Sequence, residues 1–291
     1  MIAHPARIRR TQELSLMDPD VEYEKIYRQL ALHEFGLQMQ MGLHLAFYRT
    51  FSTPRIAGVL GMTGHMDAQP HKRAYDTGLV MYELIADGLG GDRGRKMVSL
   101  LNRVHKPWPI ADEDFTYVLT TFIVVPTRWL DRAGWRPLTD RERRAVWRFY
   151  ATLGRQMNLN KIPESYAASE RFFDDYESQH LGPSEAGARL MGRTQSVLAD
   201  LLPPPIRPLT DHVTTALLDD ARLSEALSLP QRREWVATTV SIGLKAAALV
   251  ERFLPPSKSP WFSPGRPSTT KVYGGAYDLA DLGPGSVSTS S

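Results

Sequence analysis

One histidine stands where a helix must end. In LLNRVHKPWPIADEDF, residues 100–115, apolar residues recur at helical spacing up to His105, and Pro-Trp-Pro then stops the helix. His105 aligns with Val98 and Leu101 on the apolar side. An imidazole in a last helical turn is often stabilised only by the helix dipole and by packing. The alternative is an axial ligand, with Nε2 directed at a haem iron and Nδ1–H donated to a backbone carbonyl near Leu101.

A second candidate pair lies about one helix upstream, in HKRAYDTGLVMYEL. Arg73 and Thr77 are four residues apart, so a helix projects them from one face, and Val80, Met81 and Leu84 continue along it. The structural interpretation is an arginine whose stem covers apolar surface, beside a threonine bonded to its own backbone. The functional interpretation is a planar cation and a hydroxyl that meet a haem propionate or a bound oxygen species.

The remaining histidines give weaker signals. His33 and His44 share a helix face, but eleven residues of helix separate them by about 16 Å, too far to chelate one ion, so we expect core or surface roles. His65 and His71 flank a predicted loop and can approach each other. With Asp67 as the only nearby carboxylate, they form a weak metal signal.

The composition excludes several functional classes. With 291 residues, 42% hydrophobic, 23% charged and a formal net charge of +3, the chain resembles an ordinary soluble protein and gives no sign of nucleic-acid binding. The absence of cysteine removes disulfides, thiolate nucleophiles and every cysteine-ligated metal or haem. Nucleotide-binding, serine-hydrolase and zincin motifs are also missing.

Targeting signals are missing as well. No apolar run follows Arg9-Arg10, so no leader peptide is complete. The longest apolar stretch, residues 240–250, contains Ser241 and Lys245 and is too short to span a bilayer. The sequence therefore predicts a cytoplasmic protein without a transmembrane segment.

Helical periodicity extends from Val21 to Leu254 without a convincing alternating strand, which predicts an all-α fold. The expected helices are Val21–Phe51 with a bend near Gly36, Pro54–Thr63, His71–Gly88, Arg93–Lys106, Asp112–Asp131, Asp140–Asn158, Glu164–Glu177, Glu185–Leu201, Asp211–Leu218 and Gln231–Phe253. Thr139 with Glu142 predicts a capping box, and Thr53, Asp92 and Ser184 are further expected caps.

Three regions follow from the composition. Residues 1–20 form an N-terminal extension, residues 21–254 a single helical domain, and residues 255–291 a Pro, Gly and Ser-rich tail. Four apolar side chains of this tail are expected to pin it back across the body, namely Trp261, Tyr273, Tyr277 and Leu279.

Four segments in this order resemble one known family. They are PRIAGVLGMTG, Arg73-x-x-x-Thr77, LLNRVH followed by PIADEDFTYVLTTF, and LTDRERRAVWRFYATLGRQMNLNKIPES. Together they are similar to the catalytic domain shared by latex-clearing rubber oxygenases and MpaB oxygenases, over roughly residues 23–176. The block around His105 is the most specific part, and GGAYDLADLGP in the tail looks like the end of bacterial relatives.

The resemblance implies a globin-like helical core that holds haem b non-covalently. It implies His105 as the axial ligand of the haem iron, with Arg73 and Thr77 as catalytic and haem-pocket residues. The lysine that rubber oxygenases place before the threonine is Asp76 here, and residues 53–72 offer only Asp67 for the family's distal glutamate. These departures argue against polymeric rubber as the substrate and leave an acid/base residue unassigned.

The predicted function is therefore a haem b-dependent oxygenase that uses dioxygen on an apolar, isoprenoid or alkene-containing small molecule. Met62, Met66, Met81 and Phe115 are the candidates to line its substrate channel. A haem peroxidase or peroxygenase, a haem-binding sensor or carrier, and a haem-free helical interaction protein are the alternatives. The pattern specifies no oligomeric state.

Overall fold

The computed structural model describes residues 3–201, 204–260 and 277–283, and every regular element in these ranges is a helix. The predicted all-α single domain is confirmed. The α-helices are α1 (Pro5–Leu16), α2 (Tyr23–Gln29), α3 (Gly36–Phe51), α4 (Pro54–Met62), α5 (His65–Ala68), α6 (Pro70–Asp87), α7 (Asp92–His105), α8 (Asp112–Ala133), α9 (Asp140–Gln156), α10 (Tyr166–His180), α11 (Glu185–Leu201), α12 (Thr210–Leu218), α13 (Ala221–Ala226) and α14 (Glu234–Phe253). A π-helical turn (Leu30–Glu34) and two 3₁₀ segments (Pro204–Leu209 and Leu279–Asp281) complete the set.

Helix α8 is the centre of the core. It packs against α3, α9 and α10, and its apolar residues are buried around most of its circumference. The closest approach is at Gly42 of α3, where an added Cβ would lie 2.7 Å from Cα of Pro126. Only a residue without a side chain allows α3 to pack this tightly on α8.

The predicted Val21–Phe51 helix is interrupted. After α2 the chain makes the π-helical turn, Phe35 leaves helical geometry with φ −121°, and α3 begins at Gly36, which confirms the bend there. Arg7 of α1 donates hydrogen bonds from Nη1 to the carbonyl oxygen and to Oε1 of Glu34, at 3.0 and 3.3 Å. These bonds satisfy polar groups of the widened turn, and they come from a helix within the predicted N-terminal extension.

Local capping chemistry explains several helix starts. The capping box of Thr139 and Glu142 is present, and Ser184 Oγ accepts the amide of Gly187 at 3.0 Å. The cap predicted at Thr53 makes no side-chain hydrogen bond.

The cap predicted at Asp92 was wrong. Asp92 is the first residue of α7, and Asp87 accepts hydrogen bonds from the amides of the second and third residues of this helix, at 2.8 and 3.2 Å. A carboxylate that follows the preceding helix therefore takes the capping role.

The tail returns to the body at residues 277–283, here called the tail segment. Tyr277 donates a hydrogen bond to Glu83 Oε1 at 2.5 Å, and Leu279 packs against the hydrophobic core, which confirms the expectation for these two side chains. Trp261 and Tyr273 lie outside the described residues. The domain boundaries at residues 20 and 254 stay predictions.

Among the helices of the described ranges, none has both the length and the hydrophobicity required to cross a bilayer.

Candidate functional site

A cavity of about 250 Å³ lies between α4, α6, α7, α8 and α9. Most of its wall is aliphatic or aromatic, with contributions from Val80, Val104 and Phe122. The polar side chains on this wall include His65, Arg73, Asp76, Thr77, His105 and Asp114. All three residues singled out from the sequence, His105, Arg73 and Thr77, thus line one cavity.

His105 is the last residue of α7 and is held by its own helix. Its Nδ1–H donates to the carbonyl oxygen of Leu101 at 2.7 Å, as predicted, and the ring meets Phe115 edge-on with 5.1 Å between centroids. Since a carbonyl can only accept, the neutral ring carries its proton on Nδ1 and leaves the lone pair on Nε2. This tautomer can ligate a metal.

The electrostatics favour this neutral form. Burial lowers the pKa of His105, and the nearby positive charge of Arg73 lowers it further, although the bond to Leu101 raises it. At neutral pH the imidazole is therefore uncharged, as a metal ligand must be.

Arg73 and Thr77 interact on the cavity wall. Arg73 Nη1 donates to Thr77 Oγ1 at 2.5 Å, while Thr77 Oγ1 donates to the carbonyl oxygen of Arg73 at 3.0 Å. The backbone bond expected from the structural interpretation is therefore present together with the side-chain pair. Burial lowers the pKa of Arg73, which shows that its charge is poorly solvated.

The nearby carboxylate of Asp76 offsets the charge of Arg73 only in part. Asp76 Oδ2 accepts from Lys72 Nζ at 2.8 Å and from the amide of Gly283 at 3.3 Å. Within the described ranges, no carboxylate forms an ion pair with Arg73. An apolar cavity with one unpaired guanidinium can bind an anionic group.

Asp76 itself is buried, with 4% of its surface exposed. Desolvation raises the pKa of its carboxyl, while Lys72, Gly283 and Arg73 act in the opposite direction. Sequence reasoning noted this aspartate only as a departure from the family pattern. Its partner Gly283 is 207 residues away, so no local pattern indicated the buried carboxyl.

A second buried carboxyl was missed. Asp114 is 5% exposed, accepts a hydrogen bond from Tyr176 at 2.6 Å and lies 3.1 Å from the guanidinium of Arg55. A signal for it existed, because Asp114, Val118 and Phe122 follow at helical spacing and all three line the cavity.

The four residues predicted to line a substrate channel fall into two groups. Met81 and Phe115 line the cavity as predicted. The prediction is wrong for Met62, which is 60% exposed, and for Met66, which is buried outside the cavity wall. Helical spacing alone does not show which methionine faces a cavity and which belongs to the core.

Among the described residues, the two histidine pairs belong to no group of three or more metal ligands. His33 Nδ1 lies 3.2 Å from the carbonyl oxygen of Ser257, and burial lowers the pKa of His44 to about 4. His65 lines the cavity, and His71 lies in the first turn of α6. In the part of the chain that the structure describes, three or more metal-ligating side chains nowhere come together.

The chain is similar to one family of known oxygenases. Residues 31–251 match the model of a family described as ER-bound oxygenase mpaB/B'/rubber oxygenase, catalytic domain. The chain is 24% identical over 267 residues to the ER-bound oxygenase mpaB' of Penicillium brevicompactum, over 85% of this chain and 63% of that protein. It is 25% identical over 236 residues to the ER-bound oxygenase mpaB of Penicillium roqueforti (strain FM164), over 75% of this chain and 78% of that protein.

A shorter match relates the chain to the ER-bound oxygenase mpaB of Penicillium brevicompactum, with 27% identity over 157 residues, 52% of this chain and 40% of that protein. The chain thus spans less than two thirds of the length of both Penicillium brevicompactum relatives. His105, Arg73, Thr77 and Asp76 all lie within the family match, whereas the tail segment lies beyond its end.

Proposed function

Because the chain belongs to the catalytic-domain family of ER-bound mpaB oxygenases and rubber oxygenases, we propose that it is a haem-dependent oxygenase acting on an apolar, alkene-containing small molecule. Membership of the family supports the oxygenase role. The observation that carries the haem proposal is the meeting of His105 and Arg73 on the wall of one apolar cavity.

The chemistry of the side chains His105 and Arg73 fits a non-covalent haem b. His105 offers a neutral imidazole whose Nε2 can hold the iron, because Nδ1–H is committed to Leu101. Arg73 carries a poorly solvated charge without a carboxylate partner among the described residues, and with Thr77 it would hold a propionate. A haem bound there supplies the iron at which dioxygen is activated.

The protein contributes orientation and exclusion of water. The apolar wall of the cavity includes Val104, Phe115, Val118 and Phe122, which would bind an alkene through apolar contact. Such a wall keeps water away from the reacting double bond. Cleavage of the double bond by one molecule of dioxygen gives two carbonyl fragments and needs no further reductant, and this is the reaction that we propose for a branched, isoprenoid alkene.

The test uses haem-loaded, reduced protein and an isoprenoid alkene, with dioxygen or hydrogen peroxide as the only oxidant. We expect carbonyl products with dioxygen, and we expect loss of both haem and products in His105→Ala but not in the control His33→Ala, whose ring bonds Ser257 outside the cavity. Turnover with peroxide alone would favour a peroxygenase. Reversible dioxygen binding without product would favour a carrier, and failure to take up haem would contradict the proposal.

A further inference from the structure

The tail segment lies against the cavity. Leu282 is 2% exposed and belongs to the hydrophobic core, and the next residue, Gly283, lines the cavity itself. An added Cβ at Gly283 would lie 3.2 Å from Cδ1 of Leu100, a residue of α7 that also lines the cavity. The backbone of the tail segment therefore forms part of the cavity wall.

Three separate contacts hold the tail segment in this place. Tyr277 donates to Glu83, and Lys72 Nζ donates to the carbonyl oxygen of Asp281 at 3.2 Å. The amide of Gly283 donates to the cavity carboxylate of Asp76 at 3.3 Å. Lys72 thus binds the tail and Asp76 at once, so the tail, α6 and the cavity wall form one hydrogen-bonded unit.

Gly283 is suited to this position by its backbone. Its φ of +96° lies in a region that residues with a side chain rarely adopt. This geometry turns the amide towards Asp76 and leaves no side chain between the tail and Leu100.

We propose that the tail segment is a wall of the substrate cavity, held by Asp76, Lys72 and Glu83, and that it limits the length of the alkene that the cavity accepts. The limit on substrate length rests on the proposed oxygenase function. The position of the wall does not rest on that function, because it depends only on contacts within the chain. Gly283 borders the same cavity as His105, so a wall that holds its place restricts the ligand there, whereas a loosened wall admits a longer one.

The absence of cysteine allows a direct test, since a single introduced thiol can be labelled without background. Leu282→Cys places a thiol at the buried position, and Ala280→Cys places one at a nearby exposed position as the control. We expect the thiol at position 282 to react at least about tenfold more slowly, because local opening must precede labelling. Equal rates in the haem-free full chain would overturn the proposal.

The contacts that hold the tail segment are tested by adding a second substitution to the Leu282→Cys variant. Asp76→Ala removes the acceptor of the Gly283 amide, and we expect labelling at position 282 to become about tenfold faster, equivalent to about 1.4 kcal/mol. Tyr277→Phe removes the bond to Glu83 with little change in shape and should act in the same direction. If neither variant accelerates labelling, these contacts do not hold the wall.

Hydrogen exchange of the unmodified chain provides a second measurement if Leu282→Cys does not fold. The amide of Gly283 should exchange more slowly than an unprotected amide, and exchange at the unprotected rate would also overturn the proposal.

Substrate selection is tested with a monoterpene and a sesquiterpene alkene. Tyr277→Phe should raise the kcat/KM ratio of the longer to the shorter substrate about tenfold, because a loosened wall gives space for more methylene groups. An unchanged ratio together with faster labelling would refute the limit on substrate length. If the unmodified protein turned over neither alkene while the thiol at position 282 was still labelled slowly, the oxygenase function would be contradicted. The position of the tail segment in the cavity wall would still be supported.

Discussion

Replacement of Arg73 by methionine should have opposite effects on the haem-free and the haem-bound protein. Arg73 lines an apolar cavity, its pKa is lowered by burial, and its side chain bonds Thr77 without an ion pair to any described carboxylate. The adjacent Asp76 is already paired with Lys72. In the haem-free protein the guanidinium is therefore a desolvated charge that Asp76 offsets only in part.

The expected magnitudes follow from that environment. Arg73→Met keeps a similar length and removes the charge, so we expect the free energy of unfolding of the haem-free protein to rise by about 1–3 kcal/mol. The same change removes a charge-assisted bond to a propionate, worth about 1.5–3 kcal/mol. The Kd for haem should therefore increase by about 10- to 150-fold.

Urea unfolding of the haem-free protein and absorbance titration with haem measure the two effects. Arg103→Met is the matched control, because Arg103 lies exposed on α7 outside the cavity and should change stability by less than about 0.5 kcal/mol. A haem-free Arg73→Met protein that is less stable than the unmodified chain, with an unchanged Kd for haem, would refute this reasoning and make Arg73 a structural residue.

Two further predictions concern the scaffold. Gly42→Ala should destabilise the protein by about 1–3 kcal/mol in urea unfolding, because its methyl group would meet Pro126, whereas Gly58→Ala on α4 meets nothing within 4 Å and should stabilise it by about 0.5–1 kcal/mol; equal effects would contradict the close packing of α3 on α8. Burial lowers the pKa of His44 to about 4. Between about pH 6.5 and pH 4 the unfolded chain therefore binds a proton at this residue that the folded chain does not, so the free energy of unfolding should decrease as the pH is lowered. Urea unfolding at several pH values should show a smaller loss of stability in His44→Gln than in the unmodified protein, by at most about 3 kcal/mol. Identical pH profiles of the two proteins would contradict this prediction.

The features that the sequence predicted well are those that one helix determines. The bond from His105 to Leu101 and the backbone bond of Thr77 to Arg73 both join residues four apart, so helical geometry alone aligns them. The capping box at Thr139 is similarly local. These three features required no knowledge of how helices pack.

Features that depend on distant parts of the chain were not predicted. The hydroxyl groups of Tyr27 and Tyr150 lie 2.8 Å apart although 123 residues separate them, and the bond between Gly283 and Asp76 spans 207 residues. Neither contact produces a periodic signal in the sequence. Three α-helices were not predicted. Helix α1 lies within the predicted N-terminal extension, and α5 and α13 have four and six residues, too few to show a helical period.

The central claim is that His105 holds a haem iron, and the absorption spectrum of the haem-supplemented protein tests it most directly. The unmodified chain should show a Soret band of a histidine-ligated haem. His105→Ala should lose haem affinity, and added imidazole should restore the original spectrum by occupying the vacated position. Retention of haem by His105→Ala with an unchanged spectrum and affinity would contradict the claim.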